Sequence, residues 1–498
     1  MKKTKIAVVV VVALGVIWTG GAWITGKKLE QNRDQALQQI NHWLQQQLPQ
    51  SRLTVNYQDY QRGLFSSHVK LVIQSTSQTT DNALLKPGQS IVLQETIDHG
   101  PFPLAQLKQF NLIPSMASVH STLQNTAPVG GLFKLTKDKP FITSDTRVGY
   151  SGATSSVIHL LPIDFQDEKS GDRLAFNGGE LTVSADNRGN KLDYNGNIDN
   201  LQITSKNDMG MPVLLTFNGL SVTGITHLGA SGFRVGKQVI ALKKFNTSIQ
   251  GKEMVDAEGL KLLSDFTSDD KDINGQLDYS MNGLKIQRQD LGSANLNLKL
   301  SQLDANALRT FLNNYRDEMQ PIINQQNNDS LMLQQKSRAI FIKNLPLLLK
   351  GDPVISIAPL SWKNAKGEST FNLTISLRDP SAGIPADAGD INQAADTFVK
   401  SLDARLVIPM AMANETMTRV GMAEGNSEEQ AAKIADQQVK GFAAMGQMFK
   451  LTTQQNGDIV TSLHFANGQI NMNGEKMPLD QFINRYLPLN ATPDSMPQ

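Results

Sequence analysis

The residues best suited to acid–base chemistry lie in the segment Asp98-His99-Gly100-Pro101-Phe102-Pro103. A carboxylate beside an imidazole can serve as an acid/base pair, and an exposed turn of this kind can serve as a partner-docking loop. Adjacent residues of an extended chain point to opposite sides, so Asp98 is poorly placed to orient His99. A rigid proline turn is the stronger reading. Asp270-x-Asp272-x-Asn274-Gly275 begins like a calcium loop, but Met281 stands where a bidentate Glu is required, which favours an acidic hairpin turn. Gly229 to Gln238 departs from a phosphate loop at Ser231 and Gln238. His42, His68, His99, His120, His159, His227 and His464 show no metal-ligand spacing, and Ser151 lacks the second glycine of a nucleophile elbow. With no cysteine, thiolate metals, disulfides and a lipoprotein's acylated cysteine are excluded. No catalytic, cofactor or metal residues are expected, and the chain reads as non-enzymatic.

The elements that must carry any site begin with an apolar run. Ile6 to Thr25 holds no charge, and its 20 residues rise about 30 Å as a helix, the thickness of a bilayer's hydrocarbon core. Its Ile, Val and Leu residues favour insertion by roughly 3 to 6 kcal/mol. Trp18 and Trp23 suit the far interface, and Lys2, Lys3 and Lys5 outweigh Lys27 and Lys28, offset by Glu30, favouring the N-terminus inside. Cleavage near Gly20-Gly21-Ala22 is the competing reading, but the apolar run continues past it to a basic stop. Ala22 and Gly26 form a small-xxx-small pair able to pack two anchors together. The rest is ordinary globular composition, 40% hydrophobic with 47 Lys+Arg against 46 Asp+Glu, so no field draws nucleic acid.

Beyond a Gln-rich helix with Leu29, Leu37, Ile40, Leu44 and Leu48 at helical spacing, the period changes to two at Leu53, Val55 and Tyr57 and holds to about residue 300. Asn-Gly occurs at 177, 195, 218, 274, 282, 456, 467 and 473, where chance gives roughly three, which predicts type I′ hairpins. A loop at Asn282-Gly283 would pair Met281 with Leu284 and Tyr279 with Ile286. One at Asn467-Gly468 would pair Phe465 with Ile470 and Leu463 with Met472. A loop from Asp186 to Gly189 would match Val183 with Leu192 and Leu181 with Tyr194, whereas Asn195-Gly196 needs a longer or bulged connection. Helical spacing returns at Leu308, Phe311, Leu312, Tyr315 and Met319 and over Ala339 to Leu349, strands after the turn Lys350-Gly351-Asp352-Pro353, and a loop over Asp379 to Asp390. Ser427 opens a capped helix whose stripe is Ala431, Ile434, Phe442, Met445 and Phe449, with Met445 and Met448 as core fillers.

The expected fold is α+β, mainly β: long antiparallel sheets of amphipathic strands with a few covering helices, preceded by one transmembrane helix. The expected organisation is a cytoplasmic N-terminus 1–5, anchor 6–25, juxtamembrane helix 26–50, β-rich region 51–300, helical segment 301–350, strand and helix region 351–487, and a Pro-rich disordered tail 488–498.

Val16-Ile17-Trp18-Thr19-Gly20-Gly21-Ala22-Trp23, Tyr60-Gln61-Arg62-Gly63-Leu64-Phe65-Ser66-Ser67 and Asp98 to Pro103 closely resemble the YdgA family of proteobacterial proteins. Lys350 to Pro353, Ala358-Pro359-Leu360-Ser361-Trp362-Lys363-Asn364 and Ala444-Met445-Gly446-Gln447-Met448-Phe449 agree with it, so the likeness covers almost the whole chain. The resemblance implies an inner-membrane protein facing the periplasm, of unknown function, and supplies no catalytic residues. An anchor before amphipathic strands also resembles the AsmA-like envelope proteins, which implies an apolar groove for lipid. The expectation is therefore a single-pass inner-membrane protein with a periplasmic body that binds or shields lipid acyl chains. The alternative is an envelope scaffold that binds itself or another envelope protein; a hydrolase ranks third.

Overall fold

The computed structural model describes residues 2–47, 52–76, 85–324, 330–379 and 398–486. The chain is mainly β, its pairings antiparallel, with several helices, as the period-two pattern predicts. It divides into two compact units, residues 1–205 with 218–227, and 206–217 with 228–498. Apart from Asp379, the expected loop over Asp379 to Asp390 lies outside the described residues, as does the expected tail 488–498.

Helix α1, Lys2–Gln47, is one uninterrupted helix, so the anchor and juxtamembrane helix read from the sequence are continuous. Among the described residues no helix is long and apolar enough to cross a membrane. The side chains of residues 2–17, most of the expected span, lie outside the described ones.

In the first unit, strands β1 (Leu53–Arg62), β2 (Ser66–Ser75), β3 (Ser90–His99), β4 (Ala117–Leu123), β5 (Ile142–Val148) and β6 (Thr154–Leu160) pair in chain order. Then β7 (Ile163–Gln166) pairs β8 (Arg173–Phe176), while β6 pairs β9 (Gly179–Ala185), which pairs β10 (Lys191–Lys206). Short helices α2 (Leu104–Lys108) and α3 (Gly130–Leu135) interrupt the meander, and Phe133 of α3 packs with Leu123 and Val129 in a small core. The edge of β1 is closed by α1: Asn41 Nδ2 donates to the Val55 carbonyl at 2.9 Å and its Oδ1 accepts from Val55 N at 2.7 Å. An unpaired edge recruits other strands, and here a helix side chain occupies it.

Strand β11 (Pro212–Leu228) is divided between the units. The second holds β12 (Arg234–Ile249), β13 (Lys252–Ser268), β14 (Asp272–Ile286) and β15 (Gln289–Asp304), then helices α4 (Ala305–Asn324) and α5 (Ser330–Leu348). Strands β16 (Val354–Asn364), β17 (Gly367–Leu377) and β18 (Val399–Pro409) follow, then helices α6 (Met410–Ala423) and α7 (Glu428–Met448). Last come β19 (Thr453–Gln455), β20 (Asp458–Ala466), β21 (Gln469–Met472), β22 (Glu475–Pro478) and helix α8 (Leu479–Tyr486). Strands β12 to β18 pair in order, and β20 closes on β18.

Several local expectations can be compared with the register. Asn467-Gly468 forms the expected hairpin: both residues have positive φ, and Phe465 faces Ile470 while Leu463 faces Met472. Asn282-Gly283 does not. Strand β14 runs through it, Tyr279 faces Leu296, and the hairpin turns instead on Gln287 and Arg288, both left-handed. Asn282 sits beside Gly259 of β13, where a Cβ would collide with the Asn282 amide, and the β14–β15 register shifts just there. Asn195-Gly196 likewise lies inside β10 and needs no connection. The 186–190 loop shifts that hairpin by two residues, so Val183 faces Tyr194 and the faces are kept. Its Asp186 Oδ1 accepts from Arg188 N and Asn190 N, closing a wider turn.

Ser427 caps α7 as expected, its Oγ accepting from Gln430 N at 3.3 Å. The buried stripe of α7 differs from the expected one. Ala431, Ala435, Val439 and Ala443 are buried, whereas Ile434, Phe442, Met445, Met448 and Phe449 are exposed. Small side chains let α6 and α7 approach closely, which turns the large ones outward; Gly421 of α6 lies directly against Ala431.

Candidate functional site

Three stretches far apart in the chain meet in the first unit. Trp18 Nε1 donates to the Phe102 carbonyl at 2.9 Å, and its ring stacks on Phe65 at 4.9 Å between centroids. A Cβ at Gly21 would strike the Pro101 ring, and one at Gly26 the imidazole of His99. Ala22 is fully buried. Of the Ala22 and Gly26 pair, expected to pack a second anchor, Gly26 therefore lies against the chain's own Asp98 to Pro103 turn. Gly100-Pro101 is cis.

Within the turn His99 is only 2% exposed. Its Nδ1 lies 3.3 Å from the Leu64 carbonyl, which can only accept, so Nδ1 carries the proton and Nε2 accepts from Ser67 Oγ at 2.8 Å. Tyr60 OH lies 3.2 Å from Ser67 Oγ and completes the chain of hydroxyls. Burial pulls the His99 pKa below its usual value, opposed by the Leu64 hydrogen bond, and these partners are all met by a neutral ring. Asp98 turns away, its Oδ2 accepting from Ala105 N at 2.8 Å at the start of α2. Ser67 is fully buried, so the Ser67–His99 pair is closed to substrate and holds the turn. On the same face Glu95 is buried between Val69 and Ser121, and burial pushes its pKa up to about 7 against a weak Ser121 hydrogen bond. Burial, with the charges of Glu95 and Tyr60, also raises Tyr57.

Three of the other histidines pair with carboxylates on exposed strand faces: His120 with Asp145 at 2.8 Å, His159 with Glu180 at 3.5 Å, and His464 with Asp403 at 2.6 Å. Asp269 Oδ1 accepts from Lys271 N and Asp272 N, so the chain turns at 269–271, and Asp272 to Gly275, expected as a hairpin turn, instead begin strand β14. Among the described residues no three His, Cys, Asp or Glu side chains converge as a metal site.

The second unit presents a different surface. Cross-strand register aligns Ile240, Leu262, Tyr279, Leu296 and Leu360 in one row over β12 to β16. These residues, with Leu242, Leu260, Met281 and Ala294, line an open groove of about 330 Å³. Four strand spacings make the row about 19 Å long. Ile240, Tyr279 and Leu360 each keep more than two fifths of their surface exposed. The neighbouring row, Met281, Ala294, Trp362 and Ser369, reaches α6, where Ser369 Oγ meets Met412 Sδ at 3.0 Å. A second depression, lined by Asn372, Thr374, Asp403, Arg405, Ser462 and His464, is polar. Leu463 faces Ala404 and Met472 and packs in the closed core of Phe465, Ile470, Met472 and Met477.

Sequence patterning marks each strand as half-apolar, but the row takes one residue from each of five strands, and nothing local signals its alignment. Tyr60, Ser67 and Glu95 are likewise legible only through their neighbours. The first two lie in a stretch that carries the family resemblance, which is the one sequence signal pointing to them.

A β-rich body with a long N-terminal helix and an apolar groove is the class these features define. The chain belongs to the family described as bacterial protein of unknown function (DUF945), which matches residues 1–480. It is 46% identical to Protein YdgA of Escherichia coli (strain K12), over 98% of this chain and 97% of that one, so the YdgA resemblance holds. It is 29% identical to the uncharacterized protein YihF of the same strain, over 97% and 98% of the two chains. An uncharacterized protein of Haemophilus influenzae is 23% identical over 63% of this chain and 86% of its own length. No solved structure matches.

Proposed function

We propose that this chain is a single-pass inner-membrane protein whose periplasmic body binds lipid acyl chains in the groove over β12 to β16. The observation that carries the reading is the row Ile240-Leu262-Tyr279-Leu296-Leu360, five adjacent apolar side chains along an open groove, with Ile240, Tyr279 and Leu360 exposed and Leu262 and Leu296 half-buried. Its length of about 19 Å is comparable with one leaflet of a hydrocarbon core about 30 Å thick. Each methylene covered there gains about 0.8 kcal/mol, so a single chain suffices for useful affinity. The anchor is supported by the Ile6 to Thr25 run, and its retention by the packing of Trp18 to Gly26 on the body, which cleavage near Ala22 would sever. A photo-crosslinker at Leu296 or Leu360 in the full chain, expressed in cells, is expected to capture phospholipid. Equivalent labels at Leu463 in the core and Asn372 in the polar depression are the controls. Capture at the groove no greater than at the controls, with no lipid co-purifying, sinks the proposal.

A scaffold role is the second reading, favoured by the exposed Ile434, Phe442, Met445, Met448 and Phe449 of α7. A label at Phe442 that captures a discrete protein band while Leu360 captures no lipid would prefer it.

A further inference from the structure

We infer that the loop after α2, carrying Phe110, Leu112 and Ile113, is embedded in the periplasmic leaflet of the bilayer beside the anchor. The inference rests on the anchor reading above and adds a second point of lipid contact. These three side chains are 91%, 69% and 58% exposed, a large apolar surface on a short segment. The loop is built to hold them out. Buried Gln106 donates through Nε2 to Ser118 Oγ at 3.1 Å and accepts at Oε1 from Asn111 Nδ2 at 2.7 Å. Asn111 Oδ1 accepts in turn from Ile113 N at 3.1 Å. Phe110 takes a left-handed φ of 57°, unfavourable for a bulky side chain and held by the Phe110 N to Leu107 carbonyl bond.

The occupant follows from helix length. From Lys5 to Trp18 an α-helix rises about 20 Å, some 10 Å short of a hydrocarbon core. The remainder of an anchored span must therefore lie at the level of Trp18 to Thr25. At that level the helix is not alone: Trp18 is bonded to Phe102, and Gly21 and Gly26 lie on Pro101 and His99. The turn leads straight into α2 and the loop, so this flank of the body shares the depth of the outer third of the span. Trp23 and Ile24, on the open side of the helix, are also exposed, and Lys27 and Lys28 follow one turn on. Apolar side chains at membrane depth beneath basic residues match a bilayer interface.

Because the chain has no cysteine, single Phe110→Cys, Leu112→Cys and Lys169→Cys substitutions give unambiguous sites for an environment-sensitive fluorophore. Labelled full-length chain is reconstituted into vesicles of phosphatidylethanolamine and phosphatidylglycerol containing spin-labelled lipid. Labels at 110 and 112 are expected to be quenched about twofold or more beyond the label at 169, on an exposed loop of the same unit, and to resist aqueous iodide. Equal lipid quenching at 110 and 169, in chain that stays membrane-bound through alkaline carbonate, overturns the embedded loop and leaves the anchor standing. Shielding of 110 from both iodide and lipid overturns it in favour of a protein partner or a second copy. Release of the chain by carbonate overturns the anchor reading and the inference together.

Discussion

Replacing Glu95 with Gln is expected to change how the stability of this protein depends on pH. Glu95 is buried on β3 with Ser121 Oγ at 3.4 Å as its hydrogen-bond partner, and its carboxyl titrates at about 7 in the fold against 4.5 in the unfolded chain. Between those values the folded form retains a proton that the unfolded chain has released. Its stabilising effect is therefore full below 4.5 and lost as pH rises through 7. At roughly 1.4 kcal/mol per pH unit the loss reaches about 3 kcal/mol. Glu95→Gln keeps the shape and the amide can still bond Ser121, but it has no charge to desolvate. Denaturant unfolding of the full chain in detergent, repeated between pH 4 and 8.5, measures both proteins. The two should be similar near pH 4.5, with the variant more stable by about 2 to 3 kcal/mol at pH 8. His99, whose pKa burial lowers, is common to both and drops out of the difference. Parallel stability curves, or a variant destabilised at every pH, would refute burial as the cause of the shift.

Other perturbations test the remaining packing. Gly26→Leu must displace His99 or the helix, and is expected to cost about 1 to 3 kcal/mol and to open α1 to protease near residue 26, read by limited proteolysis of the full chain. Since burial depresses the His99 pKa, the stability it contributes is present above its unfolded value near 6.5 and lost as pH falls below it; His99→Gln should flatten that acid limb in unfolding curves. Asn41→Ala removes two bonds to Val55 and uncovers the β1 edge, with an expected loss of about 1 to 3 kcal/mol and faster aggregation by light scattering. Leu360→Lys places a charge in the groove at a half-exposed position, so lipid capture at Leu296 should fall while the unfolding midpoint moves little.

Much of the local structure was legible because it depends on neighbours in sequence. Ser427 and the acidic residues behind it start α7 wherever the helix ends up, and Asn467-Gly468 turns because its two residues accept positive φ between short apolar runs. The same dipeptide at Asn195, Asn218, Asn274 and Asn282 sits inside strands of 15 to 17 residues. At two of these the glycine makes room for a neighbour's side chain: the Phe266 ring covers Gly275 of Asn274-Gly275, and Leu181 lies over Gly196 of Asn195-Gly196, whereas Gly283 faces open space. Period-two alternation tells which face a residue takes but not where the strand stops. The buried stripe of α7 differs from the hydrophobic one for a related reason. Hydrophobicity favours burying Phe442 and Met445, but close approach to α6 needs the alanine face.

By itself the sequence determined a charge-balanced chain with no cysteine chemistry, an uncharged N-terminal run within a long helix, and a mainly antiparallel β body. Composition and nearest-neighbour periodicity suffice for these. Only the tertiary structure decided that Gly21 and Gly26 close on Pro101 and His99, and that Ile240, Leu262, Tyr279, Leu296 and Leu360 form one apolar row. Both arrangements join residues distant along the chain. Their alignment depends on strand register, bulges and helix placement, which are set by the packing of the body as a whole.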